Sequence, residues 1–184
     1  MEVALKEWSS VISALGSGRQ ILLLRKGGIV ESRKGFEVRH RDFVLFPTFA
    51  HQHASFLKPE WSTATAGEPG TGDQIRIEFA AKVTDVVPAP ADRNRWQNMD
   101  QHHIWNDALI DMRYAYRPDL PLYILLARIY AVYPQLILDR PSYAGCKSWV
   151  NLTDEVKLDE IQPVLDDMQY DEQRRMLLSD LQLQ

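Results

Sequence analysis

The longest apolar run in the chain is LYILLARIYAVY at residues 122–133, with Pro121 before it and Pro134 after it. Its length is compatible with a helix or with a long strand. Much of it is β-branched or aromatic, and prolines limit it on both sides, so a central strand is favoured. This segment therefore predicts that a sheet forms the centre of the fold.

Shorter apolar segments predict the other strands. Residues 75–83 (IRIEFAAKV) alternate with period two, as a half-buried strand does, and Pro88 closes that segment. Four consecutive apolar residues at 21–24, and four more at 43–46, are typical of buried strands. Residues 148–152 (SWVNL) predict a last strand.

Helical spacing of apolar residues occurs before, between and after these strands. The predicted helices cover residues 3–15, 49–58, about 93–115, about 156–166 and 169–182. Part of 93–115 is equally compatible with a loop, because Asn, Gln, His and Asp are frequent in it. Because regular helices do not separate most of the strands, a doubly wound parallel sheet is disfavoured. We expect an α+β fold with a mixed, mostly antiparallel sheet, or a small, partly closed barrel, with flanking helices and a C-terminal helical tail. Residues 1–152 would form the core domain, and residues 153–184 an acidic helical extension packed on it.

Composition restricts the classes of protein further. The chain has 184 residues, of which 45% are hydrophobic and 25% are charged, as in a globular domain. No apolar run approaches the roughly 20 residues that a membrane helix needs, and the single cysteine excludes an internal disulfide. We therefore expect a cytoplasmic protein without membrane contact. Since phosphate-loop, dinucleotide and zinc-protease spacings are absent, neither a cofactor nor a metal is predicted.

Charge is distributed unevenly along the chain. Residues 19–41 contain seven Lys or Arg and two Glu, a local charge of +5 in a chain whose net charge is −4. Residues 151–184 contain nine acids and three bases, a local charge of −6. The basic segment indicates an anionic partner, such as nucleic acid or a nucleotide. Alternatively, the basic segment and the acidic tail bind each other.

The predicted ligand-binding residues fall in three short motifs. The turn after residues 21–24 has two glycines, whose backbone N–H groups can approach an anion closely, and it is preceded by two bases. A His-Gln pair follows the Pro47-Thr48 corner, and a lysine follows Gly145. The predicted set is Arg25, Lys26, Gly27, Gly28, Glu31, His51, Gln52 and Lys147.

Three functions are open at this point. The first is a binding module without enzymatic activity that takes an anionic ligand on these residues. The second is a small hydrolase or transferase that uses Glu31 and His51, with Cys146 as a further candidate. The third is a structural or partner-binding protein whose basic segment meets its own acidic tail. No catalytic residue is predicted with certainty from the residues alone.

Several motifs together resemble a known family. They are Lys6-Glu7-Trp8, Ala14-Leu15, the segment 23–29 (LLRKGGI) with Glu31, Phe46-Pro47-Thr48 with His51-Gln52, and the segment 145–149 (GCKSW). In this combination the chain resembles domain-of-unknown-function family 1802, frequent in cyanobacteria, over roughly residues 2–165. The resemblance implies no established activity. Because some relatives are associated with restriction-endonuclease-type domains, it implies a link to DNA restriction or modification.

Overall fold

The computed structural model describes residues 1–26, 31–32, 35–36, 40–49, 54–61, 73–145 and 147–181. The fold is α+β and is built on an open, mostly antiparallel sheet of seven strands in the order β2-β7-β6-β5-β1-β8, with β9 beside β7. These strands are β1 (Val3–Trp8), β2 (Leu22–Lys26), β5 (Asp42–Thr48), β6 (Gln74–Pro88), β7 (Leu122–Leu138), β8 (Trp149–Asn151) and β9 (Gln162–Pro163). Strands β3 (Glu31–Ser32) and β4 (Gly35–Phe36) form a separate two-stranded sheet.

The apolar run at residues 122–133 is the first part of β7, so the prediction of a strand inside the sheet is confirmed, but Pro134 does not end it because β7 continues to Leu138. Strand β7 pairs antiparallel with β6 along most of its length and with β2 on its other side. Two register shifts, between Ile77 and Phe79 and between Val83 and Asp85, interrupt the pairing with β6. Such irregularities bend a strand and increase its twist. They therefore help the two longest strands to curl the sheet.

The helix predicted over residues 3–15 is wrong in its first half. Residues 3–8 form β1, which pairs parallel with β5 and antiparallel with β8, and helix α1 (Ser9–Gly16) begins only afterwards. Ala4 and Leu5 are both fully buried because both faces of the sheet are covered. A strand buried on both faces lacks the alternation that distinguishes it from a helix, so periodicity misassigns it.

Two further helices complete the fold, and both differ from their predicted bounds. The predicted helix at 93–115 is divided into a 3₁₀ segment, Arg93–His102, and helix α2 (Asp107–Ala115), with Asn106 capping α2. The described part of the tail, residues 153–181, contains one helix, α3 (Asp167–Asp180). The helix predicted at 156–166 is wrong, because Val156 and Leu158 pack into a core and Gln162–Pro163 form β9 beside β7. Among the described residues of 49–58, only Ala54–Phe56 are helical, as one 3₁₀ turn.

Each face of the sheet has its own hydrophobic core. The helical face carries Leu5, Phe43 and Leu45, which pack with α1, α2 and α3. The other face, here called the loop face, carries Ala4, Val44 and Phe46 and is covered mainly by segments 139–145 and 152–158. Neighbouring residues of β1 and β5 thus alternate between the two cores, as strand geometry requires. Residues 6 and 7, at the end of β1, consequently point to opposite faces.

Helix α3 shares the core of the helical face. Its residues Tyr170 and Leu177 are buried with Leu22 of β2 and with Val11 of α1. Among the described residues, the ion pairs of α3 join it to Asp85, Arg128 and His102 rather than to the basic segment 19–41. The domain boundary at residue 152 stays a prediction.

Candidate functional site

Three charged side chains meet on the helical face at the end of β1, and a fourth, that of Lys26, lies beside them against the end of α2. Glu7 comes from β1, Arg25 and Lys26 come from the end of β2, and Arg113 comes from the last turn of α2. We call this set the charged cluster. Only 7% of Glu7 and 7% of Arg25 is exposed. Burial of charged residues to this degree is rare unless they are paired, so the cluster needs a specific explanation.

Glu7 and Arg25 form a buried ion pair, with 2.9 Å between the Arg25 guanidinium and Glu7 Oε2. Their strands are four places apart in the sheet order, which would separate them by about 19 Å in a flat sheet. The sheet therefore curls until the end of β2 approaches the end of β1. The guanidinium also donates to the backbone oxygens of Lys6 and Leu24, at 3.1 Å each.

Arg25 and Thr48, which precede two of the predicted motifs, both contact Glu7. Arg25 precedes the Gly-Gly turn, and Thr48 belongs to the Pro-Thr corner. The Thr48 hydroxyl donates to the backbone oxygen of Glu7 at 3.1 Å, and the Trp8 N–H donates to Glu7 Oε1 at 2.8 Å. The residues that lead into both predicted ligand-binding motifs are thus held by one buried glutamate.

Lys26 points away from Glu7 and stabilises the end of α2. Its ammonium group donates to the backbone oxygens of Arg113, at 2.9 Å, and Tyr114, at 2.6 Å. It also lies 5.9 Å from the centre of the Tyr114 ring. A cation on the last carbonyls of a helix complements the helix dipole. Burial lowers the pKa of Lys26, while Asp119 acts to raise it.

Arg113 gives the cluster an excess of bases. Burial lowers the pKa of its guanidinium; Glu7 raises that pKa and Arg25 lowers it again. Its Nε is buried without a hydrogen-bond partner among the described residues. The four members comprise three bases and one acid, and the acid already pairs with Arg25. Since a desolvated cation favours a nearby negative charge, the arrangement can accept an anion.

The other predicted site residues lie elsewhere or outside the described residues. Gly27, Gly28, His51 and Gln52 are not among the described residues, and neither is Cys146. For Glu31 only the backbone, in β3, is described. Lys147 is exposed and donates to the backbone oxygen of Ser142 at 3.2 Å. The direct contact of these residues with a ligand, and catalysis by Glu31 and His51, therefore stay predictions.

Two members of the charged cluster are absent from the predicted set. The sequence pattern can predict that Glu7 is buried, because the alternation of β1 places it on the same face of the sheet as the core residue Leu5. This prediction requires that residues 3–8 are first recognised as a strand. Arg113 carries no comparable signal, since it is one of several polar residues on a short helix. Its role follows only from the packing of α2 against β2.

The neighbouring histidines do not form a metal site with described residues. His102 Nε2 lies 2.8 Å from the Asp180 carboxylate, and His103 is buried between Trp96 and Trp105, with ring centres 5.6 and 5.4 Å away. In the described part of the chain no three His, Cys, Asp or Glu residues lie close enough to hold a metal ion. No described helix is long and apolar enough to cross a membrane.

His103 is expected to make stability depend on pH. Burial lowers its pKa from 6.5 to about 3, with Lys58 adding to the shift. Above pH 6.5 His103 is neutral in both the folded and the unfolded chain, whereas below it only the unfolded chain gains a proton. The histidine should therefore reduce the free energy of unfolding by about 2 kcal/mol between pH 7 and pH 5. Urea denaturation at both pH values measures this loss.

The variant His103→Asn is the control for that experiment. It removes the titrating ring but keeps a polar side chain of moderate size. The difference in unfolding free energy between the two pH values should shrink by most of the 2 kcal/mol in this variant. An identical difference in wild type and variant would show that other groups cause the pH dependence.

Comparison with known proteins gives a family and little else. No curated protein matches. Solved structures that match include two mutant forms of ZmASCH from Zymomonas mobilis, each 12% identical with a TM-score of 0.48, covering 82% of this chain and 89% or 87% of theirs. A further structure of ASCH from that organism is 13% identical with a TM-score of 0.46, covering 97% and 94%. These scores are too low to transfer a function. The profile of the domain of unknown function DUF1802 matches residues 4–176, and the chain therefore belongs to the DUF1802 family.

Proposed function

We propose that the chain is a binding module for an anionic ligand, nucleic acid or a nucleotide, and that the ligand's phosphate binds at the charged cluster. The observation that carries this proposal is the excess of bases at one buried location. Arg25 and Arg113 lie within electrostatic range of each other and share Glu7 as their acid. A phosphate near Arg113 would supply the missing negative charge.

The position of the cluster supports the same proposal. Lys26 is the last residue of β2, and the predicted Gly27-Gly28 turn follows it directly in the sequence. Backbone N–H groups of such a turn, close to Arg113, would add uncharged donors to the phosphate. The role of Gly27 and Gly28 is part of the proposal. The link to DNA restriction or modification also stays a proposal, supported only by the family resemblance.

Arg25 and Lys26 act mainly as supports in this proposal. Each already donates to protein groups: Arg25 to Glu7 and two backbone oxygens, Lys26 to the end of α2. The charge of Lys26 nevertheless raises the local potential, because its acceptors are neutral backbone oxygens, whereas the charge of Arg25 is offset by Glu7. Both arginines of the charged cluster have a buried Nε without a hydrogen-bond partner among the described residues, but Arg25 already pairs with Glu7. The Arg113 guanidinium is therefore the group expected to contact phosphate directly.

The proposal predicts that Arg113→Gln weakens binding of a fluorescently labelled single-stranded oligonucleotide by about tenfold or more. A charge-assisted hydrogen bond to phosphate is lost, while glutamine preserves part of the packing. Fluorescence anisotropy at low salt measures the affinity.

Arg76→Gln is the matched control for this measurement. It removes the same charge from an exposed residue of β6 that pairs with Glu78 at 2.9 Å. Its affinity should stay within about twofold of wild type, because exposed pairs away from a site contribute little. The proposal fails if the wild-type chain does not bind at low salt, or if both variants weaken binding equally.

A further inference from the structure

A groove of about 480 Å³ lies on the loop face, on the side of the sheet opposite to the charged cluster. Lys6, which follows Leu5 and precedes Glu7, points into it. Three chain segments form its walls: the end of β5, the start of β6, and the residues after β7. The lining residues used below are Lys6, Phe46, Phe49, Asp73, Asp139 and Arg140. We call this cavity the Lys6 groove.

The walls of the Lys6 groove are held together by contacts within the chain. Lys6 Nζ donates to the backbone oxygens of Tyr143 and Gly145, the latter at 3.2 Å. The rings of Phe46 and Tyr143 meet edge to face, with 5.8 Å between centres. The Asp139 N–H donates to the Asp73 backbone oxygen at 2.7 Å. The groove is therefore built into the fold, and its volume is in the range of small-molecule sites.

An exposed aromatic ring lines the groove. Phe49 is 39% exposed, although it directly follows β5, whose residues Phe43 and Phe46 are buried. An aromatic ring that is open to solvent beside a cavity offers a surface on which a planar group can stack. This feature is not used by either hydrophobic core.

The rim of the groove carries charges of both signs. Asp73 and Asp139 supply two carboxylates, and neither forms an ion pair with a described residue. Lys6 and Arg140 supply two cations, and Arg140 lies 3.3 Å from the Asp154 carboxylate, outside the groove lining. Carboxylates accept hydrogen bonds from amino groups, and cations bind phosphate. A ligand with both kinds of group would match this rim.

We propose that the Lys6 groove binds a mononucleotide whose base carries an exocyclic amino group. The base would stack on Phe49 and donate to Asp73 or Asp139, and the phosphate would approach Lys6 and Arg140. A cavity of this volume accommodates one nucleotide. This site is separate from the one in the proposed function, because Lys6 and Glu7 point to opposite faces of the sheet.

The test compares cytidine 5′-monophosphate with uridine 5′-monophosphate, whose base has an oxygen where cytosine has the amino group. Titrations followed by NMR or calorimetry should show that the cytidine nucleotide binds at least about fivefold more tightly, because uracil presents a carbonyl oxygen to the carboxylates where cytosine presents its amino group. Phe49→Ala should weaken binding of the cytidine nucleotide by about fivefold or more through loss of stacking. Asp139→Asn should reduce the preference for cytidine.

Control variants test whether the effects are specific to the groove. Arg76→Gln and Glu78→Gln, which break an exposed pair on β6, should each leave the affinity for the cytidine nucleotide within about twofold of wild type. Circular dichroism confirms that each variant is folded. The inference is overturned if the cytidine nucleotide does not bind, if uridine binds equally well, or if neither Phe49→Ala nor Asp139→Asn changes binding. Loss of binding in Arg113→Gln alone would place the nucleotide at the charged cluster and would equally overturn it.

Discussion

Replacing Glu7 with Gln is expected to lower the free energy of unfolding by about 3–5 kcal/mol. The substitution preserves the size of the side chain but removes the negative charge that Arg25 contacts at 2.9 Å. The guanidinium of Arg25 would then be buried without a counter-ion, and Arg113 would lie near it with its own positive charge. Urea denaturation at neutral pH, followed by circular dichroism, measures the loss.

Two further variants test whether the loss comes from the buried pair. Glu78→Gln breaks the exposed pair with Arg76 and should cost less than about 1 kcal/mol. The double variant Glu7→Gln with Arg25→Met removes both charges and should recover a large part of the stability lost by Glu7→Gln alone. Equal costs for Glu7→Gln and Glu78→Gln would contradict the account of the ion pair.

Replacing Leu177 with Ala should destabilise the chain by about 2–5 kcal/mol. Leu177 is 0% exposed and packs in the core of the helical face, together with Tyr170 of the same helix. Helix α3 is also attached by Arg174, which donates to Asp85, and by Tyr170, whose hydroxyl lies 2.6 Å from the Thr84 hydroxyl. The helix is therefore expected to melt together with the sheet. Calorimetry should show a single transition at a lower temperature.

Met176 provides the control for Leu177, since it precedes it in α3 and is 45% exposed. Met176→Ala should change the unfolding free energy by less than about 1 kcal/mol, because little apolar area is lost. A helix that is only loosely attached would give similar, small effects for both substitutions, or an early separate transition in the wild type. Either result would contradict the packing described for α3.

The main strands could be predicted from the sequence because their apolar residues are consecutive or alternate. This holds for β5 and for the long pair β6 and β7, each of which contains its predicted segment, and for β2, which begins one residue later than predicted, at Leu22. Strand β5 extends beyond its predicted segment, through Pro47 to Thr48, which lies opposite Trp8. Sequence periodicity does not show which strands become neighbours. The parallel pairing of β1 with β5 therefore had no signal in the sequence.

The candidate site could be predicted only in part, because it is assembled by long-range packing. The basic residues before the Gly-Gly turn were visible as a local charge excess, and Arg25 belongs to the charged cluster. Glu7 was not predicted as a site residue because residues 3–8 were assigned to a helix. Arg113 joins the cluster because α2 ends beside β2, a placement that depends on contacts far apart in sequence. Lys26 was predicted to bind a ligand, whereas its hydrogen bonds to the end of α2 were not predicted.

The helices of the C-terminal tail could also be predicted only in part. Its acidic composition predicts exposed helices, and α3 does have Asp166 as its cap with Gln169 completing a capping box. Segment 156–161 has a similar composition but is not helical. Val156 is fully buried in the core of the loop face, and Lys157 N–H donates to the side-chain oxygen of Gln135 at 2.8 Å. These contacts outweigh local helix propensity.

The most direct test of anion binding at the charged cluster is the salt dependence of oligonucleotide affinity in wild type and in Arg113→Gln. Each phosphate contact with a single strand contributes a slope of about −0.7 to a plot of log affinity against log salt concentration. The account predicts a wild-type slope of about −1.4 or steeper, and a slope shallower by about 0.7 in Arg113→Gln. A wild-type slope near zero, or the same slope in both proteins, would contradict it.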